Sequence, residues 1–168
     1  MKIGLLTISD RAASAHYEDQ SGPLMAHMLT ARTPWEISRQ AVVPDEFEQI
    51  VATLDAWCDA GLNLILTSGG TGFAPRDVTP EATQRVITRS APGIAEALRA
   101  ASLTVTPHAM LSRGVAGMRG QTLIVNLPGS PQAVRENLET LLPVLPHALA
   151  LLAGEVDSDH QAPLGAHA

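Results

Sequence analysis

The stretch Leu62-Asn63-Leu64-Ile65-Leu66-Thr67-Ser68-Gly69-Gly70-Thr71-Gly72 decides the fold. An apolar run of strand length breaks abruptly into glycines. Phe73-Ala74-Pro75-Arg76-Asp77-Val78 then leads to Thr79-Pro80-Glu81, the signature of a helix start. A strand without polar alternation is covered on both faces, as in a parallel sheet sandwiched between helices. Thr79 reads as an N-cap with Pro80 and an acid in the first turn, and the helix is expected to reach about Arg89.

Working outward, Ile3 to Ile8 and Thr122 to Leu127 repeat the same buried-strand pattern, and a weaker strand covers Trp35 to Val43. Phe47, Ile50, Val51, Leu54, Trp57 and Cys58 recur at helical spacing, closed by Gly61. Pro92-Gly93 opens a helix through Leu103, and Ser130-Pro131 caps a last one, expected to bend near Pro143 and Pro146. Strands alternating with helices predict one three-layer α/β/α sandwich with a mostly parallel sheet over residues 1–154, followed by a flexible tail, 155–168.

Composition removes several function classes. The chain has 168 residues, 45% apolar and 17% charged, with a net charge of −6. That suits one aliphatic core. No stretch concentrates Lys and Arg, so nucleic acid is not an expected partner. Lys2 is the sole lysine, which excludes Walker-type phosphate loops and Schiff-base chemistry. Cys58 is the sole cysteine and leaves no disulfide framework or thiolate zinc cluster. The six histidines show no i, i+4 metal pairing, and no G-x-S-x-G elbow is present. Met1 to Asp10 lacks a secretory pattern. Leu141 to Ala153 is too short to span a bilayer. A cytoplasmic protein without membrane contact is expected.

Ligands of open α/β sheets bind beyond the carboxyl ends of the strands. Three predicted strands end there in unusual loops: Thr7 to Arg11, Thr67 to Pro80, and Asn126 to Pro131. The glycine loop lets backbone N–H groups approach a phosphate, or else simply makes a tight turn. It is neither a Walker loop nor a dinucleotide fingerprint. Asp77 is a solvated carboxylate, or one placed to hold Mg²⁺ against phosphate oxygens. Asp45 is an N-cap or first-turn acid of the Phe47 helix, or a second site acid. Asp10 is a third site carboxylate, or a partner of Arg11. The residues alone therefore indicate a small-ligand, phosphate-binding α/β domain.

The ordered set Thr7-Ile8-Ser9-Asp10-Arg11, Pro44-Asp45-Glu46, Thr67 to Gly72, Arg76 to Thr83, Leu111-Ser112-Arg113 and Asn126 to Pro131 closely resembles the molybdopterin adenylyltransferases, the MogA/MoaB family of molybdenum cofactor biosynthesis. The resemblance covers residues 2–153. It implies an α/β/α sandwich with a mixed sheet, a homotrimer, and transfer of AMP from ATP to the phosphate of molybdopterin with release of pyrophosphate. It also implies Mg²⁺, and a molybdenum-insertion protein that receives the product. Carried over by position, Asp45 and Asp77 match the family's two functional aspartates and its Mg²⁺ site. Ser68, Gly69, Gly70, Thr71 and Gly72 match its phosphate loop. Ser9, Asp10, Arg11, Asn126, Pro128, Gly129 and Ser130 match the shared pterin and nucleotide pocket. The alternative is a paralogue that binds pterin or nucleotide without catalysis; the Ser-Asp-Arg and Arg-Asp-Val-Thr-Pro segments resemble the active branch. A competence-damage-type nucleotide hydrolase domain and a partner-binding scaffold domain fit the chain less well.

Overall fold

Every residue of β3 (Leu64–Ser68) and β6 (Thr122–Leu127) is buried, so both strands lie inside the sandwich. In the computed structural model, which describes residues 1–14 and 16–155, they pair in parallel. On the far side of β3 follow β1 (Lys2–Ile8) and then β2 (Glu36–Val43), also parallel. Two short strands, β4 (Arg89–Ser90) and β5 (Ala116–Arg119), complete the other edge antiparallel, giving the order β2-β1-β3-β6-β5-β4. The sheet is thus six-stranded and mixed, inside a three-layer α/β/α sandwich.

One face is covered by α2 (Ser21–Arg32), α5 (Pro92–Leu103), α6 (Pro131–Leu141) and α7 (Leu145–Ala153). Their Met25, Leu29, Leu98, Leu138 and Leu149 pack onto Ile3, Leu64 and Leu123. The other face is covered by α3 (Phe47–Asp59) and α4 (Thr79–Val86), through Ile50, Leu54, Ala82 and Val86. A four-residue helix, α1 (Asp10–Ala13), follows β1 directly. From β1 the chain moves outward to β2, then crosses back to β3. The switch point therefore lies between β1 and β3, where such sheets open a crevice.

Four local expectations change. The α4 helix stops at Val86 because residues 87–90 turn to pair with β5; the Thr88 N–H donates to the Met118 carbonyl at 2.8 Å. The last helix is interrupted rather than bent. It divides into α6 and α7 around Pro143 and Pro146, which bring no N–H to the backbone ladder. Thr79 is not the N-cap of α4, since Val78 holds that position. The α2 helix has no counterpart among the elements expected from sequence. The tail expected over 155–168 lies, beyond Glu155, outside the described residues.

Candidate functional site

Three loops converge over the switch point with almost no side chain between them. Gly69 has φ +100°, and a Cβ there would stand 2.1 Å from the Ile8 carbonyl oxygen; one on Gly129 would stand 3.3 Å from the Gly69 Cα. The loops after β1, β3 and β6 are thereby packed backbone to backbone, which only glycine permits. Gly70, φ +62°, faces the Thr79 hydroxyl and a carboxylate oxygen of Asp45. The Thr79 hydroxyl donates to the Gly69 carbonyl at 2.9 Å, so it braces the loop instead of capping the helix.

Asp45 does not cap α3 either. Glu46 occupies the N-cap, and the Asp45 carboxylate accepts the Asp10 N–H at 2.9 Å. In return the Asp10 carboxylate accepts the Asp45 N–H at 3.0 Å, a reciprocal clasp between the loops after β1 and β2. The partner of Asp10 is Arg76, not Arg11. Arg76 Nε and Nη2 reach its two oxygens at 2.7 and 2.9 Å, and Nη2 also reaches Glu46 at 2.8 Å. Arg11 lies over the Tyr17 ring instead, 5.2 Å from its centroid. The Arg76 guanidinium beside Asp10 holds that carboxyl below the usual range. Burial pushes the Asp45 carboxyl up, and the negative charges of Asp10 and Asp77 push the same way.

Asp77 closes its own turn, accepting the Ala74 N–H at 3.1 Å, and a Cβ on Gly72 would stand 2.8 Å from its oxygen. Ser68 is 1% exposed, and its hydroxyl finds no hydrogen-bond partner. Ser9 and Ser130 cap α1 and α6, accepting from the Ala12 and Ala133 N–H groups at 3.3 Å each. Asn126 has its side chain engaged within the protein. Its amide donates to Thr67 and Thr83 at 2.9 Å each and accepts from the Val115 N–H at 3.2 Å. It shapes the pocket wall from beneath.

Two cavities open on these loops. One, about 660 Å³, is lined by Ser9, Asp10, Arg11, Asp45, Ser68 and Gly69 among others. The second, about 440 Å³, lies between the glycine loop, α5 and α6, and includes Thr71, Gly72, Asn126 and Pro128. They adjoin at Gly70, Asp77 and Gly129, which line both. Every residue expected at the site from sequence thus reaches one cavity wall or the other. Sequence reasoning missed Arg76 and Arg113 as members of the constellation. Both stood inside the recognised segments, but nothing in their spacing said which loop each would grip.

The donor set suits a divalent cation held with phosphate. Mg²⁺ takes one or two carboxylates and completes its shell with water and phosphate oxygens. Asp45 and Asp77 offer hard oxygens near enough to repel one another, and burial together with that repulsion pushes the Asp45 carboxyl up. Among the described residues, no cluster of three or more acidic, His or Cys side chains forms a complete protein cage. No helix of the described residues is long and apolar enough to cross a membrane.

The sequence and the fold have counterparts among known proteins. A curated molybdopterin adenylyltransferase of Helicobacter pylori is 43% identical over 155 residues, covering 90% of this chain and 88% of its own. Gephyrin of Dictyostelium discoideum is 45% identical over 159 residues, yet the chain spans only 22% of it, and 26% of the Drosophila molybdenum cofactor synthesis protein cinnamon. A crystal structure of the molybdopterin biosynthesis enzyme MoaB from Thermus thermophilus superposes with a TM-score of 0.86 at 51% identity, covering 91% of this chain and 96% of that one. The family described as "Probable molybdopterin binding domain" matches residues 4–147. With the family match over residues 4–147 and a relative 43% identical along most of both chains, the chain belongs to this molybdopterin-binding domain family of molybdenum cofactor biosynthesis.

Proposed function

We propose that the protein is a molybdopterin adenylyltransferase. It joins the phosphate of molybdopterin to the α-phosphate of ATP and releases pyrophosphate. The observation that carries this reading is the pair of cavities meeting at Gly70, Asp77 and Gly129. A transfer between two bulky substrates needs two recesses with their reacting ends at one seam, and here the seam is glycine backbone and a carboxylate. The names of the Helicobacter relative and the Thermus structure support the same reading.

The chemistry asks little of side-chain bases. The nucleophile is an oxygen of the pterin phosphate, already anionic. It forms a bond to the α-phosphorus while the bond to the β-phosphate oxygen breaks, and that electron pair leaves with pyrophosphate. What the chain supplies is alignment and charge compensation. The backbone N–H groups of the glycine loop and the unpartnered Ser68 hydroxyl serve as donors to phosphate oxygens. Asp45 and Asp77 hold Mg²⁺, which supplies positive charge to the phosphates when bound. The apolar stretch of the second cavity, Ala95, Leu98 and Ala133, excludes water from one ring system.

The same reading makes the protein a homotrimer that passes its product to a molybdenum-insertion protein in the cytoplasm. Incubating the chain with molybdopterin, ATP and Mg²⁺ should yield adenylylated pterin by mass and stoichiometric pyrophosphate. Tight pterin binding with neither product would establish the binding-only paralogue instead.

A further inference from the structure

Between the 3-10 turn Pro107–Leu111 and β5 stands Arg113, whose side chain serves the glycine loop from behind. Its backbone N–H donates to the Thr71 carbonyl at 2.9 Å. Its Nε donates to the Gly72 carbonyl at 2.7 Å, and its Nη2 to the Asp77 carbonyl at 2.6 Å. Its Nη1 pairs with the Glu81 carboxylate on α4. Each guanidinium nitrogen therefore already has a protein acceptor. Arg113 lines neither cavity, whereas its neighbours Ser112 and Gly114 line the smaller one.

The turn it grips has little packing of its own. Phe73, Ala74, Pro75 and Arg76 are all exposed, Phe73 by 68%. Inside the turn, Asp77 exchanges hydrogen bonds only with Ala74, through its N–H at 2.9 Å and its carboxylate at 3.1 Å. Arg76 ties the outside of the turn to Asp10 and Glu46, and the position of the Asp77 carboxylate depends further on what fixes the two ends, residues 72 and 77. Arg113 binds the carbonyls of both. Its rigid planar fork can do so at once; a lysine ammonium on a flexible stem cannot reproduce that geometry.

We propose that Arg113 is a positioning residue for adenylyl transfer: by holding both ends of the Gly72–Asp77 turn it keeps the Asp77 carboxylate at the seam between the two cavities. This rests on the adenylyltransferase reading given above. The expected signature is a fall in kcat without a matching rise in KM, because a displaced carboxylate spoils alignment more than binding. A misplacement of about 1 Å costs roughly a hundredfold in rate.

The test uses the full chain and the variants R113K and E81Q, assayed for adenylylated pterin beside the wild type. R113K should lose about a hundredfold in kcat, keep KM for ATP and molybdopterin, and exchange the amide hydrogens of residues 72–77 faster while β3 stays protected. E81Q removes only the exposed ion pair and should keep kcat within about twofold. Added guanidinium should partly restore an Arg113→Gly variant, which no general loss of folding would allow. Unchanged loop exchange in R113K overturns the proposal, and so does faster exchange with unchanged kcat. An equal loss in E81Q also overturns it, since the carbonyl contacts would then not be what matters. If the wild type forms no adenylylated pterin, the adenylyltransferase reading fails by itself, and the exchange measurement still decides whether Arg113 holds the turn. Should R113K fail to fold, E81Q and the guanidinium rescue decide the question: rescue with E81Q active supports the positioning role, and no rescue overturns it.

Discussion

At the carboxyl ends of β1 and β3 lies a cavity of about 660 Å³; beside the starts of β3 and β6 lies another, of about 390 Å³. The second contains an arginine, an aspartate and a cysteine, which on paper resemble a site. Its groups are matched to one another. Arg119 pairs with Asp55 and, at 2.9 Å, with Asp59, and the Thr122 hydroxyl donates to the Leu62 carbonyl. Burial pushes the Cys58 thiol up, away from the thiolate. At the carboxyl end the matching is incomplete: Asp45 is crowded by two other carboxylates, and Ser68 has no partner. Having a cavity does not distinguish the two ends. Unmatched polar groups do.

Glycine substitutions should expose the contrast most sharply. Gly69 and Gly120 both have positive φ, but only at Gly69 would a Cβ meet backbone, the Ile8 carbonyl oxygen at 2.1 Å. Gly69→Ala should cost roughly 3 kcal/mol or more, combining strain with overpacking. Gly120→Ala, with open space around it, should cost about 1 kcal/mol. Denaturant melts of the two variants check this, and equal losses would mean the loops are not packed as described.

Next comes Asp77→Asn, which should fold normally and lose about two decades of turnover, equivalent to about 2.7 kcal/mol of transition-state stabilisation. Parallel measurement of melting temperature and pyrophosphate release decides it. At the opposite end, Arg119→Gln should cost about 1 kcal/mol or less, since Asp59 is exposed and Asp55 only half-buried, and leave turnover unchanged.

The smallest effect concerns pH. Because the Asp45 carboxyl titrates above its ordinary value of 3.8 in the folded chain, the folded state binds more protons there than the unfolded one. Ionising Asp45 therefore disfavours folding, and its contribution to stability falls as pH rises through the carboxylate range. Asp45→Asn keeps an acceptor for the Asp10 N–H and should remove that fall. Melting curves for both proteins should draw apart as pH rises from below 3.8 to neutrality, with the variant the more stable.

Strands buried on both faces announced themselves: β6 begins and ends where Thr122 to Leu127 predicted, and the Ser130 cap was readable because capping is a local contact. The short antiparallel strands were not, since β4 holds two residues and β5 begins Ala116-Gly117, neither long enough for a periodic pattern. The α2 helix hid because its apolar stripe is short, Met25, Met28 and Leu29, and its start carries Gly22 and Pro23, which read as a turn. The site's residue types were legible. Their pairings were not: Asp10 meets Arg76 across 66 residues and Asp45 across 35, distances over which sequence fixes no partner. Thr79 and Asp45 looked like caps by local rules, but long-range acceptors and donors took their side chains instead.

The position of β6 has a consequence for synthesis. It enters the sheet at the centre, against β3, yet it is translated after more than fifty residues of intervening chain. Until then β3 presents an open edge of buried, apolar residues, Leu64 to Leu66, with its ladder groups unsatisfied. The nascent chain therefore passes through a stage in which β1, β2 and β3 can assemble while Gly69 still waits for Gly129. A ribosome-stalled chain ending before Thr122 should bind chaperones and neither substrate, and only when Ser130 has left the ribosome can the sheet and the seam both be completed.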